Sequence, residues 1–243
     1  MKYKKILLTG ASGQLGQAIS NSGYFENLLT PSREVLDITK TITIKKYFNN
    51  NDFAAVIHCA AMARMLECEQ NPYKAIETNI IGTLRKEAKS KNKIRFLHIS
   101  TDGVYSGTKG NYSEKDAAIP YNIYGWTKLG AECAVRMLTN YCIIRTSFFD
   151  PNKIKFDESA TDAYSSKMQI NDLVKAIAEM LESNFVGVIN LGDIKKSDYE
   201  RYKAFKPALK PCKLKDILKT VPFAMARDAS LNTNLWKRVH KEK

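Results

Sequence analysis

No stretch of this 243-residue sequence approaches the roughly 20 consecutive apolar residues that a membrane-spanning helix requires. A membrane partner is therefore not expected. The start, MKYKKILLTGASG, runs from a basic tip straight into a strand-like segment and a glycine turn. It lacks the apolar core and small-residue cleavage site of a signal peptide, so a cytoplasmic location is expected. Cysteine is sparse and unpatterned: Cys59, Cys68, Cys133, Cys142 and Cys212 show neither a CxxC pair nor Cys/His ligand spacing. This argues against a disulfide framework and against a metal such as zinc. Acid is the scarcer charge, with 25 Asp and Glu against 38 Lys and Arg and a formal net charge of +13. Such an excess could mark a nucleic-acid surface, but the lysines are spread along the whole chain. The densest cluster, Lys237-Arg238-Val239-His240-Lys241, is terminal. Nucleic acid is thus not the expected partner, and a site for a doubly anionic small molecule explains part of the excess. Internal repeats and low-complexity stretches are absent too.

What is present is a regular alternation. KKILLT, a short strand near residues 28–30, FAAVIHCAA, IRFLHIS and YCIIRTS read as five strands. Between them lie helical segments: the run after the first glycine turn, residues 41–49, the long amphipathic NPYKAIETNIIGTLRKEAKSK, and YNIYGWTKLGAECAVRML. Strands separated by helices of this length predict an α/β fold with a doubly wound parallel sheet, Rossmann-like. Residues 1–147 are read as a cofactor-binding domain. Residues 148–243 read as a small, shortened lobe over the open end of the sheet, packed on the first domain or interleaved with it, where a substrate would bind, with a helix over INDLVKAIAEMLES and a strand at VGVINLG.

Gly10, Ser12, Gly13, Gln14, Leu15 and Gly16 belong to a GxxGxxG turn that follows the first strand and opens a helix. Such a turn brings backbone N–H groups and the positive end of a helix against a pyrophosphate. A carboxylate for the adenosine ribose would be expected at the tip of the second strand, where the chain instead has Thr30-Pro31-Ser32-Arg33. Ser32 and Arg33 suit a 2′-phosphate and favour NADP over NAD, which stays open. Asp37 and Ile38 are placed to bracket the adenine. Ala60 and Ala61, after the third strand, let a cofactor lie close to the backbone.

Tyr124 and Lys128 are four residues apart in a predicted helix and so share one face. An ammonium beside a phenol is expected to lower the phenol's pKa and make it an acid-base group. Thr101 or Ser100 could supply a hydroxyl to the same substrate oxygen. His58 and His98, inside apolar strands, read as packed core residues. Tyr199, Tyr202 and Phe205 read as a packed helix face, and Arg64 and Glu67, after the third strand, read more readily as residues without a direct role than as substrate contacts.

The stretches LLTGASGQLG (7–16), LDIT (36–39), VIHCAA (56–61), NIIGT (79–83), STDGVYSG (100–107), YSEKDAAIPYNIYGWTKLGAE (112–132), IIRTS (143–147) and ARDASLNT (226–233) together resemble the dTDP-4-dehydrorhamnose reductase family of extended short-chain dehydrogenase/reductases. The resemblance implies a catalytic triad of Thr101, Tyr124 and Lys128. It implies reduction by NADPH of a 4-keto nucleotide sugar, with hydride to C4 and Tyr124 as proton donor, in surface polysaccharide biosynthesis. The nucleotide sugar would sit in the C-terminal lobe, and a homodimer is the oligomer considered. Gly103 stands where related 4,6-dehydratases carry a glutamate, which argues against dehydration and leaves keto reduction feasible; the rhamnose-type reductases usually have a tyrosine there. Two alternatives accompany this reading: a sugar-nucleotide epimerase, and a non-catalytic NADP-binding protein like the regulatory beta subunit of methionine adenosyltransferase, which resembles the same family.

Overall fold

The computed structural model describes residues 2–81 and 94–241. Along the chain run β1 (Ile6–Thr9), α1 (Gln14–Asn21), β2 (Leu28–Leu29), α2 (Thr41–Asn50), β3 (Ala55–His58), α3 (Met65–Gln70) and α4 (Pro72–Ile76). They are followed by β4 (Arg95–Ile99), α5 (Ile123–Val135), β5 (Tyr141–Arg145), α6 (Ile170–Glu182) and β6 (Gly187–Asn190). These six strands form one sheet in the order β6-β5-β4-β3-β1-β2, with every pairing parallel. The order reverses between β1 and β3, the switch point at which doubly wound sheets bind ligands.

The strands are short apolar runs because both faces of the sheet are covered. Ile6, Leu8, Ile57 and Leu97 face α1 and α6, meeting Leu15, Ile19, Leu173 and Ile177. Their neighbours Leu7, Val56, Phe96 and Ile143 point the other way, toward Ile44 and Phe48 of α2 and Val135 of α5, as the alternation of side chains along a strand requires. Thr9, His58 and His98 are register partners across β1, β3 and β4 and lie on this second face.

Strand β6 of the main sheet and the helix α6 that covers it come from the chain beyond residue 147. The remaining C-terminal chain forms three small ribbons: Phe148–Phe149 with Met168–Gln169, Glu158–Ala160 with Lys210–Cys212, and Tyr164–Ser165 with Lys196–Ser197. A capping box of Ser197 and Glu200 starts the helix Asp198–Lys203. Tyr199 and Tyr202 from that helix pack with Phe149, and Phe205 adds a ring contact to Phe149, giving the packed face expected of them. The terminal basic cluster lies on the helix Asn234–Lys241, whose Leu235, Trp236 and Val239 pack onto the main core.

One helix differs from expectation. The run over residues 71–91 is described only to Ile81, and its last five residues, Glu77–Ile81, form a π-helical turn rather than a continued α-helix. Within it, buried Asn79 accepts from the Met62 N–H and donates to the Met62 carbonyl and to Thr127 Oγ1. The widened turn lets one side chain tie the loop after β3 to α5. Residues Gly82 and Thr83 of the NIIGT motif lie outside the described residues.

Candidate active site

Gly10 adopts a φ of +72°, and a Cβ there would lie 2.6 Å from the Ala60 nitrogen. Only glycine allows β1 to turn this close to the loop after β3. A Cβ at Gly16 would lie 2.1 Å from the Gly10 carbonyl oxygen, so its absence is what seats α1 on the turn. Helix α1 begins at Gly13 with no side-chain cap and no acid in its first turn. Its first N–H groups and its positive end are thus left to an anion.

The turn opens on a cavity of about 630 Å³ at the switch point. Gly10, Ser12, Gly13, Ser32, Arg33, Asp37, Ile38, Ala60 and Ala61 all line it. Thr9, Ala11, Thr30, Thr39, Cys59 and Thr78 line it as well, without having been singled out in the sequence. The volume lies within the range of small-molecule and cofactor sites, and the uncapped helix and glycine cradle fit a pyrophosphate. Five of the residues expected to bind the cofactor, Gln14, Leu15, Gly16, Tyr124 and Lys128, do not line the cavity. Leu15 is a core residue, Gly16 is covered by the turn, and the Gln14 side chain faces a separate groove, where it hydrogen-bonds Asp150. Arg33 is exposed at the rim, 3.5 Å from the Asp37 carboxylate. Asp37 is held by its own turn, accepting from the Thr39 N–H and hydroxyl. Burial opposes ionisation of Asp37, but the Thr39 bonds together with Arg33 and Lys40 leave its pKa below the usual value.

Thr101 and Tyr124 meet. Thr101 follows β4 and caps the 3-10 turn Asp102–Val104, its Oγ1 accepting from the Gly103 N–H at 3.1 Å. Asn122 caps α5 by accepting from the Gly125 N–H at 2.8 Å. A Cβ on Gly125 would lie 2.3 Å from the Gly103 carbonyl oxygen, so the bare glycine brings α5 against the β4 turn. Tyr124, one residue before Gly125, then hydrogen-bonds the Thr101 side chain. The phenol is not acidified as the sequence suggested. Burial, and then the nearby Asp102 carboxylate, push its pKa above the normal value, and the Thr101 bond only partly offsets them. Tyr124 is therefore a protonated phenol at neutral pH, the form that donates. Lys128, a turn further along α5, is buried, and desolvation lowers its pKa to about 8. Cys59, which lines the cavity, faces the same ammonium.

Ser100 has a different role from Thr101. It donates at 2.6 Å to Glu132, which also takes three hydrogen bonds from Arg145. Arg145 donates in addition to the Tyr105 hydroxyl. This network braces β4, β5 and α5 behind the site.

Sequence reasoning missed Asp102 and Tyr121. Asp102 is buried, contacts Thr101, and accepts from Ser147; burial raises its pKa. Tyr121, whose phenol is likewise raised first by burial, lies beside Asp102. Their positions next to Thr101 and three residues before Tyr124 were the available signal. A Cβ on Gly103 would sit 3.4 Å from Thr101 Oγ1 and 3.8 Å from the Tyr121 hydroxyl, so the backbone has room for a side chain there and carries none. Arg64 and Glu67 pair with each other on the surface at 3.0 Å.

A parallel sheet with its glycine turn at the switch point, and a Tyr-x-x-x-Lys helix laid against the end of β4, are the architecture of the extended short-chain dehydrogenase/reductase class. Within that class the chain belongs to the RmlD substrate binding domain family, whose model matches residues 4–171. It is 30% identical over 183 residues to methionine adenosyltransferase 2 subunit beta of Mus musculus, an alignment covering 70% of this chain and 54% of that one. It is 32% identical over 148 residues to dTDP-4-keto-6-deoxy-D-glucose reductase of Streptomyces niveus, covering 58% and 51%. The chain thus spans about half the length of these curated relatives. The fold matches dTDP-4-dehydrorhamnose reductase of Bacillus anthracis, solved in complex with NADP, with a TM-score of 0.86 at 22% identity over 97% of this chain and 92% of that one.

Proposed function

We propose that the protein is an NADPH-dependent reductase of a 4-keto-6-deoxy nucleotide sugar. The observation that carries this reading is the protonated Tyr124 phenol hydrogen-bonded to Thr101, on the same helix as Lys128 and close to a cavity of cofactor size. NADPH, when bound, would supply a hydride to the sugar carbonyl carbon. Gly10, Ser12 and Gly13 would hold its pyrophosphate, and Ser32 and Arg33 its 2′-phosphate. Thr101 and Tyr124 would orient the carbonyl oxygen, and Tyr124 would give it a proton as the C–O bond becomes an alcohol. Lys128 would replace the charge balance at the phenol. NADPH oxidation, followed with a panel of 4-keto-6-deoxy nucleotide sugars made in place by dehydratases, tests the reading. Turnover should fall by at least about 100-fold in Tyr124→Phe, with NADPH binding retained. Turnover unaffected by that substitution would sink the assignment.

A second reading is favoured by the similarity to methionine adenosyltransferase 2 subunit beta. On that reading the chain binds NADP and regulates a protein partner without catalysis. Tight NADPH binding, no turnover on any sugar of the panel, and a stable complex indifferent to Tyr124→Phe would select it.

A further inference from the structure

His98 is 1% exposed on β4, and its Nε2 lies 3.3 Å from Lys128 Nζ. An ammonium has protons to give and no lone pair to offer. Toward a charged Lys128, Nε2 must therefore be the bare, accepting nitrogen, and the ring proton must sit on Nδ1. That Nδ1 is buried and has no hydrogen-bond partner among the described residues. A buried polar group left unpaired is costly, so the ring orientation is not one that packing alone would select. Its other neighbour does not relieve it. His58 stacks on the His98 ring with centroids 5.5 Å apart, and its own Nδ1 is engaged by Thr9 Oγ1 at 2.8 Å.

We propose that His98 is a positioning residue for the reaction, its unprotonated Nε2 anchoring the Lys128 ammonium one helical turn along α5 from Tyr124. The proposal rests on the reductase reading for its consequence in catalysis, and on geometry alone for the anchor. Lys128 faces Glu132 on its own helix, His98 on β4, and His58 and Cys59 on and just after β3. Against burial, the Glu132 carboxylate and then Cys59 favour its charged form, and the bare Nε2 of His98 is the ring nitrogen placed to accept from it. Burial and the Lys128 charge keep both histidines neutral well below their usual range, which preserves the acceptor throughout the working pH range.

The full chain has three histidines, His58, His98 and His240, so ¹⁵N-histidine NMR resolves them, with His98→Gln assigning the ring. His98 should be neutral from pH 6 to 8, with the proton on Nδ1 and Nε2 bare; a proton on Nε2 would overturn the proposal. In ¹³C-lysine-labelled protein, one lysine should titrate apart from the surface lysines. His98→Leu should lower that titration by about one unit, and His98→Gln, whose amide oxygen can accept, should restore most of it. Folded variants that both titrate like the wild type would also overturn it. If the leucine variant fails to fold, the wild-type tautomer decides alone. With a turned-over sugar in hand, His98→Leu should reduce kcat with KM unchanged and move the limb of the pH profile set by Lys128 in the same direction. Absence of wild-type turnover, with tautomer and titration as expected, would refute the reductase reading and leave the anchor standing.

Discussion

Glu132 and Arg145 form an ion pair at 2.7 Å with side chains 0% and 2% exposed. Replacing Glu132 by leucine keeps the volume and removes the acceptor of three Arg145 bonds and one Ser100 bond. The guanidinium is then buried without its counter-charge, with only the Tyr105 hydroxyl left to receive it. Breaking a buried pair from one side costs about 3–5 kcal/mol. For a chain of this size each kcal/mol moves Tm by about 2–4 °C, so Glu132→Leu should lower the melting temperature by about 6–20 °C. The converse control is the double variant Glu132→Leu/Arg145→Met, which removes both charges. It leaves the Ser100 hydroxyl without its acceptor, at about 1 kcal/mol, and Lys128 without its nearby carboxylate, whereas the Tyr105 hydroxyl keeps the Ser113 carbonyl and Asn190. The double variant should therefore be more stable than the single one and fall within about 2 kcal/mol of wild type. Thermal melts and urea midpoints on the four members of the cycle decide the matter. A single variant within about 2 °C of wild type, or a double variant no better than the single one, would refute the view that an uncompensated charge governs this site.

Other expectations follow from the glycine turn, the rim arginine and the buried histidines. Gly16→Ala drives a Cβ to 2.1 Å from backbone, whereas at Gly13 the nearest atom would be 3.3 Å away; differential scanning fluorimetry should show a large loss of Tm for the first and a small one for the second. Arg33→Ala should weaken NADPH binding by about tenfold or more, the worth of a charge-assisted hydrogen bond, and leave NADH binding unchanged in a fluorescence titration. His58 has its pKa lowered from 6.5 to about 3, chiefly by burial, and His98 is lowered too. Below pH 6.5 the unfolded chain binds protons that the folded one refuses, so stability is lost as pH falls from about 6.5 toward 3. The slope should approach about 1.4 kcal/mol per pH unit for each histidine. A urea midpoint that stays flat between pH 7 and 5 would count against both histidines being held neutral.

Much of the sheet was legible because its strands carry their own signal. β1, β3, β4 and β5 are apolar runs bounded by turn residues, and a parallel sheet buried on both faces needs nothing subtler. The glycine turn was legible for a similar reason, since Gly10 and Gly16 answer to backbone contacts that any such turn must make. The π-turn at Glu77–Ile81 was hidden because its cause is remote: Asn79 bonds to Met62 and Thr127. The two- and three-residue ribbons of the C-terminal part are too short to show a period. Gln14 adjoins the glycines in sequence, but the first turn of α1 carries its side chain away from the cavity, toward Asp150. The acidity of Tyr124 was misjudged because spacing reveals Lys128 and conceals burial and Asp102. Local pattern thus picks out the candidate residues, while tertiary surroundings set their protonation.

The return of β6 to the sheet governs how the molecule can be assembled. β5 is complete at Arg145, yet the strand that pairs with it, from Gly187 to Asn190, emerges some forty residues later. Until then a nascent chain presents the open edge of β5 and the uncovered apolar surface that α6 will fill, both prone to adhesion. A fragment ending at residue 147 would keep these exposed permanently, so it should aggregate rather than fold as a free-standing nucleotide-binding unit. Vectorial synthesis must wait for the last strand before the sheet closes, and in that sense the C-terminal chain is a folding partner of the first half of the molecule, whatever else it does.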